Sequence, residues 1–468
     1  MTSDELKRLT GIDVLPRHRP QMTYRCIACD AAHPLERLLY TCPACGSLLR
    51  VVDDNFSALT ERSGAEWRQV FDLRRSVRTD GMQGIFLFHE LVLPCVPLEH
   101  VVYLGEGHTP LIRANPEMAS WVGANLYVKN DGQNPSASFK DRGMASAISF
   151  LNHFLLEHQP EQVLGICAST GDTSAAAALY LSYLPKSGVR SAVLLPQGKV
   201  TPQQLSQPLG SGARVVEIPG VFDDCMKIVE ELAETYQVFL LNSKNPVRIS
   251  GQKSFAYEVA QQLGWEVEDL TVVVPIGNAG NVTAILEGFL DLQHIGVIEH
   301  LPRVLGVQSE HANPVARWRS SGVYRPVVVQ PSVAQAAMIG NPVSFPKVQG
   351  LVERYFQESF QCVTVSEQEI MDTMLTANRH GHVVCTQGGE AIAGLQRALR
   401  EGVVVEDRVF VCDSTSHQLK FSGFQEAYFA DSLGVEYEVE ARDDLVNRPQ
   451  QLPADATEIA AALGLQKR

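Results

Sequence analysis

From about residue 120 onward the sequence predicts an α/β fold on mostly parallel sheets, preceded by a small metal-stapled ribbon. Three observations carry this. Short apolar runs alternate with longer helical segments, the pattern of strand–helix–strand crossovers. Several runs, such as residues 270–276, are rich in Val, Leu and Ile without polar alternation, which suits strands buried on both faces. The first 55 residues hold Cys26-x-x-Cys29 and, twelve residues on, Cys42-x-x-Cys45, a spacing that closes a tetrahedral thiolate site around Zn²⁺.

Taken in order, residues 1–55 read as the ribbon, with short strands near Tyr24 and at 48–51 and tight-turn residues Pro43 and Gly46. So short a module has little core, so bound metal would supply much of its folding energy. His33 reads as a solvated turn residue, four thiolates being already at hand. Residues 56–104 form a connector: 67–78 is polar and helix-like, and 84–97 is apolar and aromatic and packs on the main body, with no chemistry of its own. The body, 105–435, contains strands at 125–129, 162–167, 191–195, 214–218, 238–241, 270–276, 303–308 and 408–413. Helices are expected at 142–157, 174–182, 223–235, 251–263 and 281–293. A smaller subdomain occupies about 150–245. Residues 436–468 form a peripheral tail.

Composition narrows the function. The chain of 468 residues is long enough for two or three domains. A net charge of −14 argues against a nucleic-acid partner gripped through its phosphates. No run of eighteen apolar residues spans a membrane, and Met1-Thr2-Ser3-Asp4-Glu5-Leu6 has no secretory pattern. Six of the ten cysteines lie outside the ribbon, several in apolar stretches (Cys167, Cys385, Cys412), which fits a reducing cytoplasm.

Five stretches carry candidate chemistry. In Asn134-Pro135-Ser136-Ala137-Ser138-Phe139-Lys140-Asp141-Arg142-Gly143-Met144, a lysine stands at a helix entrance that Ser136 or Ser138 can cap. Such an amine either forms a Schiff base or is a solvated surface charge. In 272–281 a buried strand runs into Gly277-Asn278-Ala279-Gly280-Asn281 and a helix, an anion cradle or a ligand-free turn. Its spacing is neither a dinucleotide fingerprint nor a Walker loop. In 167–174, Ser169, Thr170 and Thr173 flank Gly171, enough to hold a carboxylate at a helix start, where capping by Asp172 or Ser174 alone would need one polar residue. In 409–417 another strand ends in hydroxyls, and Thr415 suits an uncharged ring nitrogen. In 241–253, Arg248 offers a planar fork for phosphate or carboxylate, unless Lys244, Arg248 and Lys253 are simply an exposed face. Together these supply a Schiff-base lysine, a phosphate cradle, a carboxylate loop and a ring-nitrogen partner, the set that pyridoxal phosphate requires.

These segments, with 105–111 and 415–420, occur in the order found in the threonine synthases, and the chain resembles that family, part of the β-family (fold type II) of pyridoxal-phosphate enzymes. The resemblance spans roughly 100–425, and 134–144 is its most specific part. It implies two open, twisted α/β domains with mostly parallel sheets, and some relatives carry a zinc-ribbon-like segment. It implies that Lys140 holds the cofactor, that Gly277, Asn278, Ala279, Gly280 and Asn281 cradle its phosphate, that Asp172 meets the ring hydroxyl and that Thr415 meets the ring nitrogen. Ser169, Thr170 and Thr173 would bind the substrate carboxylate and its neighbours. Asn242, Ser243 and Arg248 would hold the substrate phosphate. Cys26, Cys29, Cys42 and Cys45 would hold a structural zinc. The implied activity is conversion of O-phospho-L-homoserine and water to L-threonine and phosphate by a cytoplasmic homodimer. Related enzymes such as threonine dehydratase or cysteate synthase share the cofactor positions, and a zinc-ribbon binding protein with an inactive body is the alternative of another class. Departures from the family pattern are His108, Ser416 and Gln418, and Cys385-Thr386-Gln387-Gly388-Gly389-Glu390 where many relatives carry Glu-Pro and a small residue.

Overall fold

The computed structural model describes residues 2–160, 162–169, 171–185, 188–197, 202–220, 222–405 and 408–466. Its first 53 residues include a three-stranded antiparallel sheet in the order β2-β1-β3, made by β1 (Met22–Cys26), β2 (Ala32–Pro34) and β3 (Leu49–Asp53). The expected strands near Tyr24 and 48–51 are β1 and β3.

Behind the ribbon stand two sheets. The larger has the order β12-β11-β10-β13-β5-β4. It comprises β4 (Leu111–Arg113), β5 (Asn125–Asn130), β10 (Leu270–Pro275), β11 (Arg303–Ser309), β12 (Phe360–Val365) and β13 (Val409–Ser414). Every neighbour pair is parallel except β4 with β5. The smaller sheet, β8-β7-β6-β9, is wholly parallel. It comprises β6 (Val163–Ala168), β7 (Val189–Pro196), β8 (Arg214–Ile218) and β9 (Val238–Leu240). All six residues of β10 are buried, as a central strand covered on both faces requires. All eight expected strands are present. β2, β4 and β12 were not expected.

The helices differ from expectation at instructive places. The helix expected at 142–157 runs Lys140–His158, so Lys140 is its first residue and not a loop residue ahead of it. Neither Ser136 nor Ser138 caps it: the cap position is Phe139, without a side-chain bond. The segment expected as one helix at 251–263 is two, Pro246–Gln252 and Ser254–Gln262.

The Lys140 helix and the Pro246–Gln252 helix pack closely because glycines face each other's backbones. A Cβ on Gly251 would lie 2.1 Å from the Arg142 carbonyl oxygen, and one on Gly143 would lie 3.0 Å from the Arg248 carbonyl oxygen. This approach brings Lys140 and Arg248 to one cleft.

The connector is less passive than its composition implied. Trp67, Phe71, Phe86 and Phe88 join the main hydrophobic core, and Phe71 and Phe88 pack against Trp265 and Tyr257 with ring centroids 6.1 and 5.3 Å apart. The fully buried Arg74 guanidinium donates to Glu90 at 2.7 and 2.5 Å and to the carbonyls of Val14 and Leu87, both at 2.7 Å. A buried charge of this kind is tolerable when it is paired and hydrogen-bonded; here the pairing with Glu90 and the bond to Val14 tie residue 14 to the connector. Among the described residues no helix is long and apolar enough to cross a membrane.

Candidate active site

A cleft of about 520 Å³ lies between the two large sheets, at the carboxyl ends of β6, β7, β10 and β13. Ligands bind there in open α/β sheets because strand ends and helix starts present unpaired backbone groups. Lys140, Asp172, Arg248, Thr415 and the whole of Gly277–Asn281 line it, as do Ser169, Thr173, Asn242 and Ser243. Thr170 lies outside the described residues.

The turn before Lys140 is pinned to the strand end that carries Thr415. The Phe139 amide donates to the Thr415 carbonyl at 2.8 Å, the His417 amide donates to the Ala137 carbonyl at 3.0 Å, and Ser138 bridges Ser416. The Ser136 amide donates to the Asp141 carboxylate at 2.7 Å. Ala137 sits in the left-handed region, with φ of 65°. The Lys140 ammonium lies 3.9 Å from the Phe139 ring centroid. Burial and then the nearby Arg248 charge lower the Lys140 amine to about 7, so near neutrality much of it is uncharged and nucleophilic.

Each remaining wall has its own chemistry. Asp172 accepts from the Ser416 hydroxyl at 2.6 Å and pairs with Lys420 at 3.0 Å. Burial alone would raise its carboxyl, but Lys420 and Ser416 hold it below its usual value. Lys420 also donates to the Ser136 carbonyl at 2.9 Å, closing a ring between the Lys140 turn and Asp172. The phosphate-loop candidate ends β10 and opens the helix Gly280–His294. Ala279 there is left-handed, with φ of 62°, which turns successive amides to one side. Asn278 donates to Ser243 at 3.3 Å and Asn281 donates to Asp413 at 2.7 Å. Thr415 lies 3.7 Å from the Cys385 sulfur, so the divergent 385–390 segment does meet the Thr415 edge of the cleft.

Two sequence-derived assignments change in emphasis. The Asn242 amide accepts from the Ala168 amide at 2.9 Å and donates to its carbonyl at 2.6 Å, so it fixes the strand end that bears Ser169. The cation cluster is divided: Lys244 pairs with Glu230 and Lys253 with Asp291, each at 2.7 Å, and neither lines the cleft. Arg248 does. It is 3 % exposed, uses one nitrogen on the Leu241 carbonyl at 2.9 Å and leaves Nε without a partner. Burial lowers it to about 10, so it stays charged at neutral pH.

Several residues that line the cleft or pair with its lining went unrecognised in the sequence. Gln387 is 2 % exposed and both its amide atoms lack partners, as does the carbonyl oxygen of Gln252. The one available signal was position: Gln252 follows Gly251 in the Arg248 stretch, Gln387 lies in the divergent segment, and Lys420 ends the Thr415 stretch. Of the other departures, His108 stacks on Phe88 with centroids 6.2 Å apart, and Gln418 donates to Gln425 at 2.6 Å.

Behind the cleft is a buried four-charge cluster. Arg142 donates to Asp131 at 2.8 and 2.7 Å, to Glu258 at 2.6 and 2.8 Å, to Ser254 at 3.0 Å and to Thr109 at 3.0 Å. Lys129 donates to Glu258 at 2.7 Å and to the Thr109 carbonyl at 2.7 Å. All four charges are at most 1 % exposed and sum to zero. The guanidinium two residues after Lys140 thereby ties its helix to Asp131, just past the end of β5, and to the Ser254–Gln262 helix.

In the ribbon the four thiols approach one another, with Sγ separations of 3.5 Å for Cys26–Cys45, 3.7 Å for Cys29–Cys42 and 3.5 Å for Cys29–Cys45. Thiolates about 2.3 Å from one zinc ion stand roughly 3.8 Å apart, so the cluster fits that ion. Its knuckle amides, Ala28 and Cys29, point at the Cys26 sulfur. His33 is not merely solvated: its Nε2 lies 3.5 Å from the Cys42 sulfur.

A family model described as "Pyridoxal-phosphate dependent enzyme" matches residues 102–412. The chain belongs to this pyridoxal-phosphate dependent enzyme family. Within it, the chain is 37% identical over 403 residues to the threonine synthase of Methanocaldococcus jannaschii, covering 85% of this chain and 93% of that one. The crystal structure of threonine synthase from Escherichia coli superimposes with a TM-score of 0.63 at 21% identity, covering 94% of this chain and 99% of that chain. The crystal structure of PLP-bound threonine synthase from Brucella melitensis superimposes with a TM-score of 0.63 at 19% identity, covering 92% of this chain and 93% of that chain. The cleft fits the family's cofactor: a lysine with a lowered amine pKa, a glycine-bearing helix start for a phosphate, and buried unpartnered polar atoms on Arg248, Gln252 and Gln387 face one space.

Proposed function

We propose that this protein is a threonine synthase, converting O-phospho-L-homoserine and water to L-threonine and phosphate. The observation that carries the reading is the joint presence in one cleft of Lys140 and the charged, incompletely bonded Arg248. The first suits an aldehyde cofactor and the second a phosphorylated substrate. Extensive identity to a threonine synthase supports the choice within the family.

Pyridoxal phosphate, when bound, supplies an electron sink for charge developing at the substrate Cα. In this reading Lys140 carries it, Gly277–Asn281 cradles its phosphate, and Asp172 and Thr415 meet the ring hydroxyl and ring nitrogen. The uncharged Lys140 amine takes the proton from Cα. Ser169, Thr170 and Thr173 orient the substrate carboxylate. Arg248, beside Ser243, places positive charge where the departing phosphate gains negative charge, and Asn242 acts by holding the Ser169 strand end. Gln387 and Gln252 offer amide groups to the substrate side. The ribbon thiolates hold a structural zinc. The reading divides the chain at about 55, 104 and 435, with a smaller subdomain at about 150–245, and includes a cytoplasmic homodimer.

The test is product analysis. Purified protein given O-phosphohomoserine should release threonine and phosphate in equal amounts, and Lys140→Ala should abolish both turnover and the yellow colour that borohydride bleaches. Cysteate formed from phosphoserine and sulfite, with no threonine from phosphohomoserine, would overturn the substrate assignment. A colourless, inactive wild-type protein would overturn the enzyme reading.

A further inference from the structure

Far along the helix that begins with Lys140, a second group of metal-type ligands gathers. His153 and Glu157 are one turn apart on its surface, and His100 reaches them from the connector turn Leu98–His100. The Nδ1 atoms of His100 and His153 are 2.9 Å apart, and a Glu157 carboxylate oxygen lies within 4.8 Å of both. Two nitrogens bound to one zinc ion at about 2.0–2.1 Å would stand roughly 3.3 Å apart, so the imidazoles need move only a few tenths of an ångström. The approach is held by the main chain around it. Asn152 donates to the His100 carbonyl at 2.9 Å, and the Val102 amide donates to the Ser149 hydroxyl at 2.8 Å. Ser149, His153 and Glu157 share one helical stripe, so the face that anchors the connector also presents the ligands. Both histidines are half-buried and Glu157 is exposed, which leaves one side open to solvent.

We propose that His100, His153 and Glu157 form a second divalent transition-metal site, distinct from the ribbon, with two imidazoles, one carboxylate and an open position for water. It would clamp the connector onto the Lys140 helix. At about 1.5 Å rise per residue, the site is roughly 20 Å along the helix from Lys140. The ion would therefore touch no substrate, and its occupancy would be read in binding and stability.

Co²⁺ is the probe, because its visible spectrum separates thiolate from nitrogen–oxygen coordination. Titration of the full chain should give an equivalent bound without thiolate charge-transfer absorption. Glu157→Gln, an exposed change that should not impair folding, should weaken that equivalent about tenfold or more, since even outer ligand partners are worth 10–100-fold. His153→Gln and His100→Gln should abolish it and leave thiolate-bound Co²⁺ unchanged. The proposal is overturned if all bound Co²⁺ carries thiolate absorption, or if the nitrogen–oxygen equivalent persists unchanged in Glu157→Gln.

Discussion

Lys140 owes its chemistry to neighbours more than to its own side chain. Desolvation comes first, and Arg248 adds to it, in bringing the amine to about 7. The sign fixes the pH behaviour: above 7 the folded chain holds the amine uncharged, and below 7 it becomes protonated and inert. Cofactor-free protein should therefore label at Lys140 with an aldehyde reagent at a rate that falls about tenfold per pH unit below 7 and levels off above it. A rate still rising steeply between pH 8 and 10 would mean an ordinary solvated lysine. Ala137 offers a second test at this scale. Its φ of 65° costs a residue with a Cβ about 1 kcal/mol, partly offset by the greater unfolded-state freedom of glycine. Ala137→Gly should raise the unfolding free energy measured in urea by roughly half a kcal/mol, where substitution to Val should lower it.

The contact between the Lys140 helix and the Pro246–Gln252 helix sets how far Arg248 stands from Lys140. Gly251→Ala would put a methyl 2.1 Å from the Arg142 carbonyl, and the helices must then separate, at roughly 1–3 kcal/mol. The expected outcome is a protein of reduced melting temperature whose kcat falls and whose Lys140 amine titrates higher, because Arg248 has moved away. Unchanged kinetics would show that the spacing does not matter. This scale also explains what sequence could and could not reveal. Strands β10 and β13 announced themselves as short runs dominated by Val, Leu and Phe, whereas β12, an edge strand whose burial is broken by half-exposed positions, interleaves Gln and Thr with its apolar residues and makes no such run. The cleft residues were legible where glycines or hydroxyls gather at a strand end, as at 277–281 and 415. Gln387 and Gln252 carry no such signature, since a glutamine is read as functional only once its amide is seen buried without a partner.

Across the whole molecule, distant residues meet in ways that no local pattern encodes. Glu258 lies more than a hundred residues along the chain from Asp131 and Arg142 yet completes one charge cluster with them. Arg142→Met would leave Asp131 and Glu258 buried without their main counter-charge, and a loss of 3–5 kcal/mol is expected for breaking such a pair, measured by chemical denaturation. The ribbon makes a comparable long-range contact. The Tyr40 hydroxyl donates to the Val238 carbonyl at 3.2 Å and accepts from the Leu240 amide at 2.8 Å. If zinc holds the ribbon together, chelation should speed hydrogen exchange at Leu240 well before the β10 amides respond. Equal protection with and without chelator would place the ribbon's stability elsewhere.

That tyrosine has a consequence for solubility. Strand β9 is the outermost of its sheet, and an outermost strand offers unsatisfied backbone groups to any extended chain that drifts past. One phenol oxygen fills both a donor and an acceptor position on it, so a side chain stands in for the missing neighbouring strand. A chain that lost its ribbon would keep its cleft and lose this guard, and it would be prone to self-association along β9 in proportion to its concentration.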